Sequence, residues 1–362
     1  MKVIASVLVC AHLLAAAQVR VSGPGRQPQL VFACQMEDGP LQALFADAAV
    51  IANLRDLNAG VSLATITLSA ARAAVVQKLN QAGIPVVAWM ALADSDGYYL
   101  NAGNEPAAAA RFAQFENWTA QYGLHWSGVG FDIEPNIQEF GAARQGFWKI
   151  GGTLARRYVD FGRVMRARRD YAGLIARIEA RGYPVETYQF PFIVDERRVY
   201  STALERLAGL VDVRGSREAL MLYTSFSHGA GPALIWKYGP EAQAIVVGVV
   251  SNDAPVPGFF APLDWQQLSN DLIVAAHFSP VVGIFSLEGC VQKGFLARIR
   301  SIDWSRTVTL PEASMARATR VRFVVGTALW VASWLPLIGA VAIAAIGWLL
   351  YRWRRRRTAR AC

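Results

Sequence analysis

Cysteine and histidine are scarce in this chain of 362 residues, which contains four of each. The cysteines form no C-x-x-C pair and the histidines form no H-x-x-x-H pair, so the usual spacings of zinc and dithiol sites are missing. The sequence also has no G-x-G-x-x-G turn after its first predicted strand, no phosphate-cradling glycine loop and no serine nucleophile elbow. These absences argue against a zinc enzyme, a dinucleotide-binding sheet and a serine hydrolase, and we expect no cofactor.

Acidic residues are missing from residues 313–362, a segment that carries nine arginines and therefore accounts for the whole formal charge of +9. In the rest of the chain the basic residues equal the 27 acidic residues in number. The high isoelectric point therefore predicts contact between the C-terminal segment and anionic lipid headgroups, not nucleic-acid binding.

Formal charge is also absent from residues 323–351, a run of 29 residues. Because roughly 20 helical residues cross a bilayer, this run predicts a transmembrane helix. The arginine-rich tail 352–362 follows directly, and the positive-inside rule predicts that it is cytoplasmic.

The N-terminus has a Lys followed by a short apolar run and an Ala-rich site, which predicts a secretory signal over residues 1–17. An uncleaved anchor is the alternative. Cleavage before Gln18 leaves a leader over residues 18–28 and places the following domain outside the cytoplasm. With a juxtamembrane linker over 305–322, both termini predict a single-pass cell-membrane protein with a periplasmic or extracellular domain.

Residues 29–304 alternate β-rich apolar runs with helical segments. Eight such runs are predicted to be strands: Leu30–Cys34, Val61–Thr67, Ile84–Met90, Val129–Ile133, Val185–Phe190, Leu220–Thr224, Ile245–Val250 and Val281–Leu287. Near-continuous apolar strands joined by amphipathic helices are typical of a parallel sheet covered by helices. The predicted fold is an α/β (β/α)8 TIM barrel with a C-terminal transmembrane helix, and a doubly wound open sheet is the alternative.

Two cysteines lie at the ends of strands that are neighbours in a closed barrel. Cys34 ends the first predicted strand and Cys290 follows the eighth. A disulfide and two buried free thiols are both compatible with this placement.

The most informative motif is the run Gly128–Pro135, which contains the predicted strand Val129–Ile133. Side chains alternate along a strand, so Asp132 and Glu134 lie on one side. Pairing of each carboxylate with an arginine is the ordinary alternative, but charge is expensive to bury at the end of an apolar strand. We therefore predict a functional acid pair. Mutual repulsion should raise the pKa of Glu134, and removal of the Asp132 carboxyl should lower it again.

Other polar and aromatic residues fall near the predicted carboxyl ends of strands, where the working groups of such barrels lie. We predict that six of them bind substrate: Trp89, Trp126, Tyr188, Gln189, Asn252 and Asp253. Aromatic faces with carboxylates suit a carbohydrate, whose C–H faces stack and whose glycosidic oxygen needs a proton donor. Glu288 is a candidate second carboxylate facing Glu134, and pairing with Arg298 or Arg300 is the alternative.

The motif Gly130-Phe131-Asp132-Ile133-Glu134 resembles the catalytic strand of the family 18 glycoside hydrolases, the chitinases and related barrels, whose motif ends in D-x-D-x-E. Met221-Leu222-Tyr223-Thr224 is similar to the M-x-Y-D of that family. The resemblance implies that Glu134 is the general acid, that Asp132 orients and polarises a substrate N-acetyl group, and that Tyr223 hydrogen-bonds the same group.

The motif is incomplete. Gly130 and Ser127 stand where the family has two further aspartates, Thr224 replaces the Asp after the Tyr, and Phe285 or Ser286 occupies the region of a Trp on the eighth strand. Three functions follow as hypotheses. The first is a membrane-anchored glycosidase acting on an envelope or extracellular glycan. The second is a barrel without catalysis that binds a glycan or a protein, and the third is a cation-dependent hydrolase of a non-glycan substrate.

Overall fold

A closed barrel of eight parallel strands forms the body of the protein. The computed structural model describes residues 18–136, 147–226, 230–251 and 261–358, with backbone alone for 147–150 and 354–358. The barrel strands are β2 (Gln29–Cys34), β3 (Gly60–Ala64), β4 (Val86–Met90), β5 (Gly128–Asp132), β6 (Val185–Gln189), β7 (Arg217–Met221), β8 (Ala244–Gly248) and β9 (Val281–Phe285). They pair in chain order, and β9 closes on β2 with Leu30 opposite Val282. The predicted barrel is confirmed and the open sheet is excluded.

Helices surround the barrel, and most of the last one extends away from it. They are α1 (Asp38–Ala46), α2 (Ala48–Asp56), α3 (Ala70–Gln81), α4 (Glu105–Tyr122), α5 (Phe147–Val159), α6 (Phe161–Ala180), α7 (Phe192–Arg198), α8 (Ala203–Ala208), α9 (Ala233–Tyr238), α10 (Trp265–Phe278), α11 (Leu287–Gln292), α12 (Phe295–Ile299) and α13 (Glu312–Thr358). Outward side chains of the strands, such as Phe32, Phe131 and Ile245, are buried beneath these helices. Because inward and outward residues alternate, the apolar core is this outer layer and the barrel interior is free to carry polar groups.

Two stretches with a continuous helical sequence pattern are each divided into two helices by an aspartate. Asp47 separates α1 from α2 and accepts a hydrogen bond from the backbone N–H of Ala49 at 2.8 Å. Asp160 separates α5 from α6 and accepts from the N–H of Arg163 at 2.9 Å. Both act as N-caps, because their side chains satisfy backbone donors that the new helix leaves unpaired.

The predicted leader and linker pair with each other. β1 (Val19–Ser22) runs antiparallel to β10 (Thr307–Leu310), with Val19 opposite Leu310. Periodicity alone does not find such short strands, since each has only four residues. Cys34 and Cys290 are buried free thiols, and the disulfide is absent.

The C-terminal helix α13 begins at Glu312, before the predicted span, and is long and apolar enough to cross a membrane. Its first turns are fixed to the barrel by Arg322. The guanidinium bonds Asp195 at 2.9 Å and Glu241 at 2.8 Å, and it lies 4.4 Å from the ring centre of Tyr238. Tyr238 in turn donates to Asp195 at 2.6 Å. Helix and barrel are therefore joined by a partly buried ion-pair network rather than by a loose linker.

Candidate active site

Asp132 and Glu134 lie together at the carboxyl end of β5. The backbone of residues 132–134 continues the strand beyond the barrel, because the N–H of Leu100 donates to the carbonyl of Asp132 at 3.0 Å and the N–H of Glu134 donates to the carbonyl of Leu100 at 3.1 Å. Ile133 is buried on the outer side. This pairing fixes the two carboxyl groups on the same inner side, as the D-x-E spacing predicts.

The two acids differ in depth. Asp132 is 4% exposed, and its Oδ1 has no hydrogen-bond partner among the residues that the structure describes. Glu134 lies nearer the mouth and is half-buried. Within the described ranges neither carboxylate is paired with an arginine or a lysine. An ion pair with a basic residue is the ordinary explanation of such a motif, and the described residues form no such pair with Asp132 or Glu134.

Burial raises the pKa of both carboxyl groups. It raises the pKa of Glu134 to about 7. The pKa of Asp132 is raised well above its ordinary value, first by deeper burial and then by the charge of Glu134. Because burial disfavours the charged form of each group, the pair holds a proton up to near neutral pH. Such a pair can donate a proton at neutral pH.

Aromatic side chains surround the acids. The cavity at this end of the barrel has a volume of about 40 Å³ and is lined by Trp89, Asp132, Tyr188, Tyr223 and Phe285, with smaller residues beneath them. Tyr98 and Tyr99 contact the cluster from the loop after β4, and burial together with the charges of the acids raises the pKa of Tyr99. A cavity of this size holds two or three waters. A ring of six heavy atoms does not fit inside it, and only a small substituent could enter.

Gly130 is required by Tyr188. A Cβ at position 130 would lie 2.8 Å from Cε2 of the Tyr188 ring, which occupies the space of the missing side chain. The Tyr188 hydroxyl is hydrogen-bonded to Oγ of Ser62 at 3.0 Å and to Oε2 of Glu186 at 3.2 Å. The carboxylate that the family motif has at this place is thus replaced by a phenol held from the neighbouring strand.

Gly130→Ala should therefore destabilise the barrel by roughly 1–3 kcal/mol, the usual cost of overpacking a core. The free energy of unfolding, measured by chemical denaturation in detergent, checks this. Tyr188→Ala removes the obstructing ring, so the double variant should lose less than the sum of the single losses. Additive losses would show that the ring and the Gly130 site are not in contact.

Thr224, which follows β7, makes a comparable replacement. Its hydroxyl donates to Oδ2 of Asp271, a buried residue of α10. Burial raises the pKa of Asp271 to about 8. The carboxyl group missing after Tyr223 is thus supplied by a helix and lies behind the strand end.

Three predicted site residues lie elsewhere. Trp126 precedes β5, at the amino end of the barrel, where its indole donates to Thr119 at 3.0 Å. Gln189 points outward and donates to the carbonyl of Val211 at 2.9 Å. The structure therefore gives both a structural role. Gln189 directly follows the inward Tyr188 on β6 and so faces the other side, and Trp126 lies before β5 begins.

Glu288 is the third. It lies in the first turn of α11 and interacts with Cys34 and with the backbone of Gln35, on the outer side of β2. Its pKa is raised by burial. Arg298 instead lies over the Trp265 ring and Arg300 pairs with Asp56, so neither predicted arrangement of Glu288 is present among the described residues.

Asn252 and Asp253 lie outside the described residues. Of the predicted set, the structure brings together Asp132, Glu134, Tyr223, Trp89 and Tyr188. It adds Ser62, Glu186, Tyr98 and Tyr99, which were not predicted as site residues. Glu186 could have been found from its spacing, because it lies two residues before Tyr188 on the same strand face. Across the described ranges, no group of three His, Cys, Asp or Glu side chains is placed to hold a metal ion.

Comparison with known proteins finds no matching family model and no matching curated protein. Among solved structures, the chain is similar to the PgaB (BpsB) glycoside hydrolase domain from Bordetella bronchiseptica, with 11% identity, a TM-score of 0.43, and coverage of 76% of this chain and 99% of that one. It is also similar to the GH18 chitinase ChiB of Flavobacterium johnsoniae, with 12% identity, a TM-score of 0.42, and coverage of 77% and 94%. A putative chitinase A from Streptomyces coelicolor is similar at 10% identity, with a TM-score of 0.36 and coverage of 81% and 99%. The similarity is one of barrel fold, as the distant resemblance in the β5 motif led us to expect.

Proposed function

We propose that the protein is a glycoside hydrolase that cleaves an N-acetylated glycan with Glu134 as general acid. The observation that carries the proposal is the Asp132–Glu134 pair, which no described basic group neutralises and whose pKa values are raised at an aromatic mouth. A proton donor for a glycosidic oxygen must keep its proton near working pH, and burial provides this.

In the proposed reaction, Glu134 gives its proton to the glycosidic oxygen as the bond to the anomeric carbon breaks. The carbonyl oxygen of the substrate N-acetyl group forms the new bond to that carbon, because the structure places no second described carboxylate across the mouth. Asp132 and Tyr223 hold the N-acetyl group, and the narrow cavity receives its methyl. Water then attacks the anomeric carbon and gives a proton to the Glu134 carboxylate, while the bond from that carbon to the acetamido oxygen breaks. This restores the N-acetyl group and the protonated acid.

A glycan panel tests this proposal. The full-length protein in detergent is incubated with chitin oligosaccharides and peptidoglycan fragments, and products are identified by mass spectrometry. We expect cleavage of N-acetylated substrates that is insensitive to chelator. Inhibition by chelator would instead favour a cation-dependent hydrolase, and cleavage of deacetylated analogues at the same rate would contradict assistance by the substrate.

A barrel that binds glycans without cleaving them is the second candidate. The replacement of the family aspartates by Gly130 and Thr224 favours it, because the residues behind the proton donor are changed. Binding without products on the whole panel, with equal affinity in the Glu134→Gln variant, would support this candidate and exclude the first.

We further propose that α13 spans the cell membrane with the barrel outside the cytoplasm. A reporter fused after Cys362 should be active only as a cytoplasmic fusion, and one fused at Pro311 only as an extracytoplasmic fusion. The same pair of fusions in a variant that lacks residues 2–17 and has the tail arginines changed to Gln serves as the control, because it should lose its fixed orientation. Protease access to the barrel from the cytoplasmic side would contradict the topology.

A further inference from the structure

The turn between α5 and α6 exposes an unusual amount of apolar surface. Val159 is 62% exposed, Phe161 is 48% exposed and Met165 is 61% exposed. Soluble surfaces rarely keep large apolar side chains clustered in this way unless the patch meets a partner or a membrane. We call residues 158–166 the α5–α6 corner.

The corner is built rigidly. The buried guanidinium of Arg206 lies 4.7 Å from the ring centre of Tyr158 and 4.1 Å from that of Phe161, and it also donates to the carbonyl of Tyr158. Asp160 caps α6. The exposed apolar side chains are therefore presented by a fixed turn, and they do not fold back onto the barrel.

The corner touches the apolar helix. The Tyr158 hydroxyl donates to the carbonyl of Ala332, within the uncharged run 323–351. Leu329 is buried in the same region, whereas every side chain from Leu337 to Trp353 is exposed. The first ten residues of the run thus lie beside the barrel. The remaining nineteen reach about 28 Å at the helical rise, close to the hydrocarbon thickness of roughly 30 Å.

This division explains why the uncharged run 323–351 is longer than a bilayer span requires. It also fixes the position of the corner relative to the membrane. If 333–351 fill the hydrocarbon layer, Ala332 lies at its edge, and the corner that touches Ala332 lies in the headgroup region. Two basic residues of this region, Arg156 and Arg166, are exposed. Basic side chains near an anionic membrane surface are attracted to its headgroups.

We propose that the α5–α6 corner is a bilayer-docking surface that seats Val159, Phe161 and Met165 in the interface of an anionic membrane beside α13. Apolar side chains beside exposed arginines match a layer in which acyl chains lie beneath anionic headgroups. The corner is continuous with the apolar helix, and this favours a lipid surface over a soluble polyanion. A polyanion would pair with the arginines but would provide no apolar environment for the exposed side chains.

Spin-label accessibility tests this proposal in the full-length protein with Cys10 and Cys362 changed to Ser. The remaining cysteines are buried, and burial raises their pKa values, so they do not compete for label. Labels are placed at Phe161→Cys and Met165→Cys, with Ala113→Cys, exposed on α4, as the matched control. The protein is reconstituted in vesicles of three parts phosphatidylcholine to one part phosphatidylglycerol.

We expect labels at 161 and 165 to collide several-fold more with oxygen, relative to a water-soluble nickel complex, than the label at 113. Equal ratios at the three positions would overturn the proposal. Equal depth in pure phosphatidylcholine would overturn the role given to the arginines. Labels that stay in water with vesicles and are immobilised only by dextran sulfate would identify a polyanion surface and would also overturn the proposal.

Discussion

Glu134→Gln is expected to reduce kcat about 10²- to 10⁴-fold on any glycan that the wild-type protein cleaves, the usual contribution of a general acid. The amide keeps the size of the carboxyl group but holds no transferable proton. Wild-type activity should fall as pH rises above about 7, because Glu134 then loses the proton that burial lets it keep. Glu116→Gln, a carboxylate on the outside of α4 that pairs with Arg181, is the matched control and should leave the profile unchanged.

Asp132→Asn distinguishes the contribution of Asp132 from that of Glu134. From the sequence, removal of a charged neighbour should shift the alkaline limb of the profile to lower pH. The structure changes this expectation, because burial, and not the charge of Asp132, raises the pKa of Glu134. Removing the Asp132 carboxyl therefore leaves the cause of that shift in place, so the rate should fall while the limb stays near its wild-type position. A limb that moves down by a unit or more would show that Asp132 ionises first.

Asp271→Asn should increase the free energy of unfolding at pH 9 by several kcal/mol. The folded pKa of about 8 lies above the ordinary value of an aspartate, so the stability that this group contributes is complete below about pH 4 and is lost as pH rises through 8. At 1.36 kcal/mol for each pKa unit, the loss is on the order of 5 kcal/mol. Asparagine removes the charge and retains an oxygen to accept from Thr224.

Chemical denaturation in detergent at pH 4 and pH 9 measures this difference. The variant should match the wild type at pH 4 to within about 1 kcal/mol and exceed it at pH 9. Asp170→Asn, at an exposed position on α6 whose carboxylate pairs with Arg169, is the control and should behave like the wild type at both values. An equal pH dependence in the Asp271→Asn variant would mean that this carboxyl is ionised in the folded protein at little cost.

The barrel was predictable because its signal is repeated. Each strand is a short apolar run beside a helical segment, and eight repeats leave few topologies. Strand ends were less predictable, and the site depends on them. β7 begins at Arg217, whose charge pairs with Glu186 inside the barrel, so a search for apolar runs placed that strand three residues late. Tyr223 was still found, since it came from a motif rather than from strand bounds.

Sequence patterns could not identify residues that act through tertiary contacts. Asp271 lies in an ordinary helical pattern 47 positions from Thr224, and no spacing rule links them. Gln189 and Trp126 show the opposite failure: each lies beside the end of a strand, but one faces outward and the other lies at the wrong end of the barrel. Side-chain direction reverses with each residue of register, so proximity to a strand end does not identify a site residue.

The junction at Arg322 limits where the protein can act. A flexible stalk would let a domain move through a hemispherical volume around its membrane anchor and reach substrates well above the membrane surface. Here the ion pairs to Asp195 and Glu241 make helix and domain one body. With α13 in the membrane as we propose, the domain would move laterally with its anchor and have no independent vertical reach. Under the proposed hydrolase activity, polymer ends that never come within one barrel diameter of the bilayer would stay uncut, and turnover would depend on lateral diffusion in the membrane.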